Sequence, residues 1–460
     1  LHTAPFFSID EGMIPLWIVF VNVLQKGKKV MKNMRVLPQD QVFWYLNSTS
    51  VTPLMHDMTT DVLIIGGGMA GLTAAQAFHA KGYKVVLIEK NYCGAGASGK
   101  SSGFITPDSE LSLFELTRMF GAEMGKKLWK LIGSGVDTIR NNIEKYRIDC
   151  DYQIQDTLIL ANSSRAFYTD IQKEYNNRQQ AGYASSLYTR NELYSVIGSD
   201  AYQGGVSYGG TFGIRAYNYC LGMKKVLQES GVLIYEETPA INIQDKMVKT
   251  PQATIRAEHI IMCTDRFEPA ASLLWDKVYH VQTFLMLSAP LVDSQIKKIF
   301  PLKPFMVWDT DMIYQYYRIT GDNRLMLGGS DLLYTYAKHE SHDNHRVAKQ
   351  LMRYIQTKFP SVSIEFEYIW PGLIGISKDV LPIAGFDQTM PSVYYIVGAC
   401  GLPFAAALAT YCADRIINNN SEFDSYFSPY RSAILGPITQ TFLGTRLTFA
   451  LSNFFSVGSL

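Results

Sequence analysis

Three glycines, Gly66, Gly68 and Gly71, followed by an acid at Glu89, form the pattern in this chain best suited to chemistry. In Gly-x-Gly-x-x-Gly the first glycine permits a tight turn from strand to helix. The second lets the backbone approach a pyrophosphate with no Cβ in the way, and the third lets the helix pack close to a sheet. Met69 and Ala70 stand at the helix start, where free N–H groups and the helix dipole favour phosphate. Glu89, just ahead of Lys90 at the end of the next strand, is placed to accept hydrogen bonds from ribose hydroxyls. Glycine-rich turns are common by themselves. Here an apolar strand, an alanine-rich helix and a second strand stand in register around the motif, and together they read as a dinucleotide site.

A second small-residue loop narrows the choice of dinucleotide. It runs over 94–103 and holds Ala97, Ser98, Ser101, Ser102 and Gly103. A nicotinamide site does not need such a loop. An FAD site of the glutathione-reductase type commonly has one, wrapping the pyrophosphate and passing under the isoalloxazine. Far downstream, the apolar run 394–397 leads through Cys400 and Gly401 into Leu402, Pro403 and a helix of small residues. That is again a helix N-terminus available to a cofactor, and Pro403 is tolerated because its missing N–H is one of the orphan donors. An ordinary buried helix would read the same alone; paired with the first motif, it favours FAD.

With these pieces in place the chain resembles the FAD-dependent amine and amino-acid oxidoreductases of the D-amino-acid oxidase (DAO) family. Within it, the γ-glutamylputrescine oxidase branch is the closer likeness. The resemblance is carried by FWYLNS at 43–48, the glycine motif, GASGKSSG at 96–103, YRIDCDYQ at 146–153, YYRITGDNRLMLGGS at 316–330 and WPGLIGISKDVLPIAG at 370–385. It implies an α/β (α+β) architecture: a Rossmann FAD-binding domain of the glutathione-reductase type with an inserted, mainly antiparallel β substrate domain. It also implies hydride transfer to flavin from the carbon beside a neutral amine, on a small-molecule amine or amino acid. Gly372 and Asp379 lie in a segment expected to approach the flavin. The chain departs from the family's Arg-Asn-Gly-Gly at Lys100–Gly103, from Gly-His-Gly at Gly401–Pro403, from Thr-x-Asp at Ser377–Asp379 and from His-Pro at Arg215–Ala216. The fold expectation survives these changes; a substrate identity does not transfer through them.

Flavin chemistry asks orientation and water exclusion of the protein rather than a catalytic triad, and none is visible. The candidate pocket residues are Tyr316, Arg318 and Gln282. Tyr314 and Tyr316 share one face of an alternating strand, whereas Tyr317 and Arg318 fall on opposite faces. Tyrosine suits an amine wall, having an apolar ring whose face attracts cations. Arg318 fits either a clasp on a substrate carboxylate or a structural pairing with Asp322. Gln282 is expected above the flavin, where some relatives carry an oxygen-activating Lys. No Lys lies within 280–288, which favours an electron acceptor other than oxygen; a membrane-peripheral amino-acid dehydrogenase using quinone and a degenerate FAD-binding protein without amine oxidase activity are the alternative readings.

Alternation in the runs around 280–288 and 313–319 indicates half-buried antiparallel strands, and 112–147 reads as helix. The expected division gives 58–150, 195–270 and 365–425 to the cofactor domain and 151–194 and 271–364 to the substrate domain. Residues 1–57 form an extension, of which 1–30 read as peripheral or spurious, with Met31 or Met34 as the start. Residues 426–460 form an apolar tail that docks either on the protein's own surface or, as a peripheral contact, on a membrane interface. A net charge of +1 leaves no basic stripe for nucleic acid. Six cysteines without CxxC or metal spacing read as reduced thiols of a cytoplasmic protein. The pattern leaves the oligomeric state open.

Overall fold

The strand Met58–Ile65 ends in four consecutive buried residues, Val62 to Ile65, because parallel neighbours flank it and both faces are covered, Val62 and Ile64 against helices and Leu63 and Ile65 against an apolar cluster that includes Leu54, Leu274 and Val278. In this computed structural model, which describes residues 34–37, 42–45, 52–108, 111–265, 274, 277–311, 314–335, 344–377, 379–399 and 401–431, those neighbours are Val85–Ile88 and Thr254–Asp265. Leu233–Tyr235 extends the sheet beyond the former and Val393–Val397 beyond the latter, both in parallel. The glycine-motif helix Met69–His79 packs against the helix Leu402–Asn418, and both rise from the same edge of strand ends. The long helix Ala122–Tyr146 crosses the second of them at backbone contact: a Cβ on Gly135 would lie 1.9 Å from the Pro403 carbonyl oxygen. The helical stretch expected over 112–147 is two helices, split at Gly121 (φ 79°) after a capping box at Ser112 and Glu115.

A nine-stranded, mostly antiparallel sheet forms the second layer system. Its central strands, Val278–Pro290, Arg324–Thr335 and Phe366–Ser377, pair along most of their length. The expected half-burial fails for the first of these. Residues 284–288 are buried on both faces, one against the cofactor side and one against a core built around Tyr317, Phe300 and Phe359. Two segments also lie in a different sheet from the one their expected boundaries imply. Gly204–Tyr208 pairs with Thr157–Leu160, and Phe366–Ser377 with Val278–Pro290. Both are short apolar runs, and apolar runs do not declare which sheet they complete. Among the described residues no helix is long and apolar enough to cross a membrane; the tail beyond Arg431 and residues 1–33 lie outside them.

Where the loop after the second glycine segment crosses the large sheet, it buries an acid. Asp108 takes a 2.5 Å hydrogen bond from Thr106, which also meets the Tyr208 hydroxyl at 2.8 Å, and Arg178 stands 3.9 Å away, held by Glu174 at 2.6 Å. Burial raises the Asp108 carboxyl to about 6, with Arg178 opposing the rise. The folded state therefore favours the protonated acid. Its stabilising contribution is complete below the ordinary carboxylate range and is lost as pH climbs through about 6. Against an Asp108→Asn variant, the wild type should lose ~2 kcal/mol between pH 4 and pH 7. Urea unfolding across that window measures it, and parallel stability curves would refute the buried-acid assignment.

Candidate cofactor and substrate site

The glycine turn is built without spare space. A Cβ on Gly66, whose φ is 113°, would sit 2.4 Å from the Cys263 carbonyl oxygen, and one on Gly71 would sit 1.8 Å from the Gly66 carbonyl oxygen. Gly68 caps the helix with no side chain of its own, so the first turn keeps N–H groups directed outward. Ser98, from the second loop, accepts from the Met69 N–H at 2.9 Å and ties the two loops together. Glu89 accepts from the N–H groups of Gly67 and Asn91 at 2.8 and 2.9 Å. Burial still raises its carboxyl above the usual range, those hydrogen bonds opposing. Ala70 is half-buried in the first turn, and Lys90 is exposed beside the acid.

The second loop is pinned from several sides. Cys93 N–H donates to Glu236, itself paired with Lys224 at 2.7 Å. Ala97–Lys100 makes one turn of helix, Ser101 Oγ donates to the Ser98 carbonyl, and Gly103 adopts φ 70° with Ile214 donating to its carbonyl. Trp370 Nε1 donates to the Lys100 carbonyl from the large sheet. A third junction lies at the end of Thr254–Asp265. Asp265, at φ 60°, accepts from Gly375 N–H with its carboxylate and from Gly398 N–H with its carbonyl. Next to it, Thr264 Oγ1 is buried without a hydrogen-bond partner. Gly401 (φ 92°) then opens the helix Leu402–Asn418, again with no side-chain cap and with proline in its first turn. Two helix starts whose own N-cap glycines supply no side chain, a glycine cradle that any Cβ would fill, a carboxylate at the second strand's end and an orphaned hydroxyl together fit FAD.

The large sheet turns one face toward this loop, and its register shows which side chains belong there. Trp370 stands opposite Leu285, Leu285 opposite Gly328, Gly328 opposite Tyr316, and Tyr316 opposite Trp308. Directly opposite residues share a face. A Cβ on Gly328 would lie 2.3 Å from the Tyr316 ring, so the glycine makes room for that ring. Phe104, the first residue after the second loop, touches Tyr316 and Trp308 with ring centroids 5.7 and 6.0 Å away, and Tyr314 adds a fourth ring 5.8 Å from Tyr316. One step along, Gly372 faces Thr283 and approaches Lys100.

Two expectations change here, those for Arg318 and Gln282. Arg318 shares the face of Tyr316 but is wholly buried, donating to the carbonyls of Ser102 (2.9 Å) and Ile214 (2.7 Å). It holds the second loop onto the sheet instead of meeting a substrate, and Asp322 pairs with Arg215 and Arg324. Gln282 falls, by alternation, with Phe284 and Met286 on the far face, so Thr283 is the residue turned toward the cofactor side. Asp379 is held by both nitrogens of a fork from Arg431, at 2.6 Å each; no local pattern marks an arginine so far along the chain. Cys400 and Lys378 lie outside the described residues. Phe104 and Trp308 went unnoticed in the sequence. Phe104's place right after the loop was a usable signal; the facing of Trp308 needed the register.

A model of the FAD dependent oxidoreductase family, DAO, matches residues 61–415. The chain is 26% identical over 378 residues to the gamma-glutamylputrescine oxidoreductase of Escherichia coli, covering 79% of this chain and 84% of that protein. It is 27% identical over 363 residues to the probable oxidoreductase OrdL of Haemophilus influenzae, covering 76% and 80%. The glycine oxidase of Geobacillus kaustophilus has a similar fold, with TM-score 0.69 at 18% identity over 82% of this chain and all of that one.

Proposed function

The chain belongs to the DAO family of FAD-dependent oxidoreductases, and from that premise we propose that it oxidises the C–N bond of an amine or amino acid. The observation that carries the proposal is the aromatic face of Tyr316 and Trp308, set against Phe104 where the second loop leaves the glycine cradle. Relatives named for gamma-glutamylputrescine and glycine support a nitrogen-bearing substrate.

Bound FAD would supply the chemistry of accepting a hydride from the carbon next to nitrogen. The protein's work is binding and orientation. The N–H groups at the start of Met69–His79 and the Glu89 carboxylate would hold the pyrophosphate and ribose. Phe104, Tyr316 and Trp308 would exclude water and fix the amine. As the substrate C–H bond breaks with its electron pair, the nitrogen lone pair forms C=N and one N–H proton passes to solvent. Water then splits the imine into a carbonyl compound and an amine or ammonia. Trapping carbonyl products as hydrazones, after incubating the FAD-loaded protein with amines, amino acids and an artificial electron acceptor, tests this. A carbonyl from at least one donor is expected; none from any donor would contradict the assignment.

A further inference from the structure

The substrate wall is aromatic where an α-amino acid would require a cation. Phe104, Trp308, Tyr314 and Tyr316 are all half-buried, so none of them is sealed in a core. An α-carboxylate is best held by the fork of a guanidinium. Three described guanidiniums of this sheet and its flanking loops are turned to other groups. Arg318 is sealed against Ser102 and Ile214, Arg215 faces Asp151 and Asp322, and Arg324 holds Asp322 and Glu367. Aromatic faces, by contrast, attract substituted ammonium ions through their quadrupoles.

We infer that Phe104, Trp308 and Tyr316 receive the substituted ammonium head of the substrate, which makes the substrate class amines that carry no carboxylate on the reacting carbon. This rests on the C–N oxidation reading above and chooses between its two donor classes. The protonated amine would dock against the rings and lose its proton to solvent before the carbon gives up hydride. The rings, the buried face of the sheet and the loop would then hold the carbon side of the molecule.

Calorimetry on the FAD-loaded protein tests the site without turnover. Butyltrimethylammonium has no nitrogen lone pair and cannot be oxidised by this route, and butyrate matches its chain but carries a carboxylate. Expected are binding of the cation, no binding of butyrate, and about tenfold weaker cation binding in Trp308→Leu and Phe104→Leu variants that retain FAD. Butyrate binding as tightly as the cation would overturn the inference, most directly if Lys100→Met abolished it. Failure of the wild type to bind the cation would also overturn it, whatever the variants do. Cation binding in a protein that yields no carbonyl from any amine would support the site and overturn the oxidation reading instead.

Discussion

A Gly71→Ala variant should retain less than about a tenth of the wild-type FAD per chain. The added Cβ would lie 1.8 Å from the Gly66 carbonyl oxygen and 3.3 Å from the Ile64 side chain. Neither neighbour can yield. The first is backbone of the turn itself, and the second is a wholly buried residue of the central strand. The helix must therefore lift from the sheet, which carries its N–H groups away from the pyrophosphate position that Gly66 and Gly68 define. Overpacking of this kind costs ~1–3 kcal/mol or more in stability, and the loss of FAD should exceed what that cost alone would cause. Gly133→Ala is the control. Nothing lies within 4 Å of its Cβ position, on a helix, so it should keep FAD and gain up to ~1 kcal/mol. Flavin absorbance per mole of protein, with melting curves, separates the two. Full FAD content in Gly71→Ala would mean that the cradle is not the cofactor's seat.

Arg318→Leu should destabilise the protein by ~2–5 kcal/mol, since it strands the half-buried Ser102 and buried Ile214 carbonyls and leaves the space of a guanidinium unfilled. Burial lowers the guanidinium to about 10, Asp151 opposing, so it stays charged at neutral pH and its donors stay committed. Gly213 underlines the fit: a Cβ there would come within 2.8 Å of Arg318 Nη1. Arg318→Lys should recover part of the loss, because one ammonium reaches one carbonyl in place of two. Urea unfolding measures the stability, and the concentration of amine giving half-maximal flavin reduction measures the site. A change in that concentration with no change in stability would return Arg318 to the substrate.

What the sequence could disclose follows the reach of each signal. Gly66, Gly68, Gly71 and Glu89 act through neighbours a few residues away, and the strand–helix–strand pattern around them was sufficient to read their geometry. The helix beginning at Leu402 was legible for the same reason. Side-chain facing on the large sheet was not. Gln282 and Thr283 are adjacent, and a single step of alternation exchanges the cofactor side for the far core. Nor could the sequence separate the two uses of Arg318, since both begin from a cation beside aromatic residues; its total burial against carbonyls decides between them. The fork from Arg431 to Asp379 joins residues 52 apart in the chain, beyond any local pattern.

The central claim is that a cofactor held by the glycine cradle takes electrons from an amine lying on the aromatic face. An anaerobic UV–visible titration of the purified, FAD-loaded protein with paired amines and amino acids tests it most directly. The account predicts an oxidised-flavin spectrum that bleaches with one or more amines, and with Trp308→Leu requiring higher amine concentrations to bleach. A protein that takes up no FAD, or flavin that stays oxidised with every donor, would contradict it.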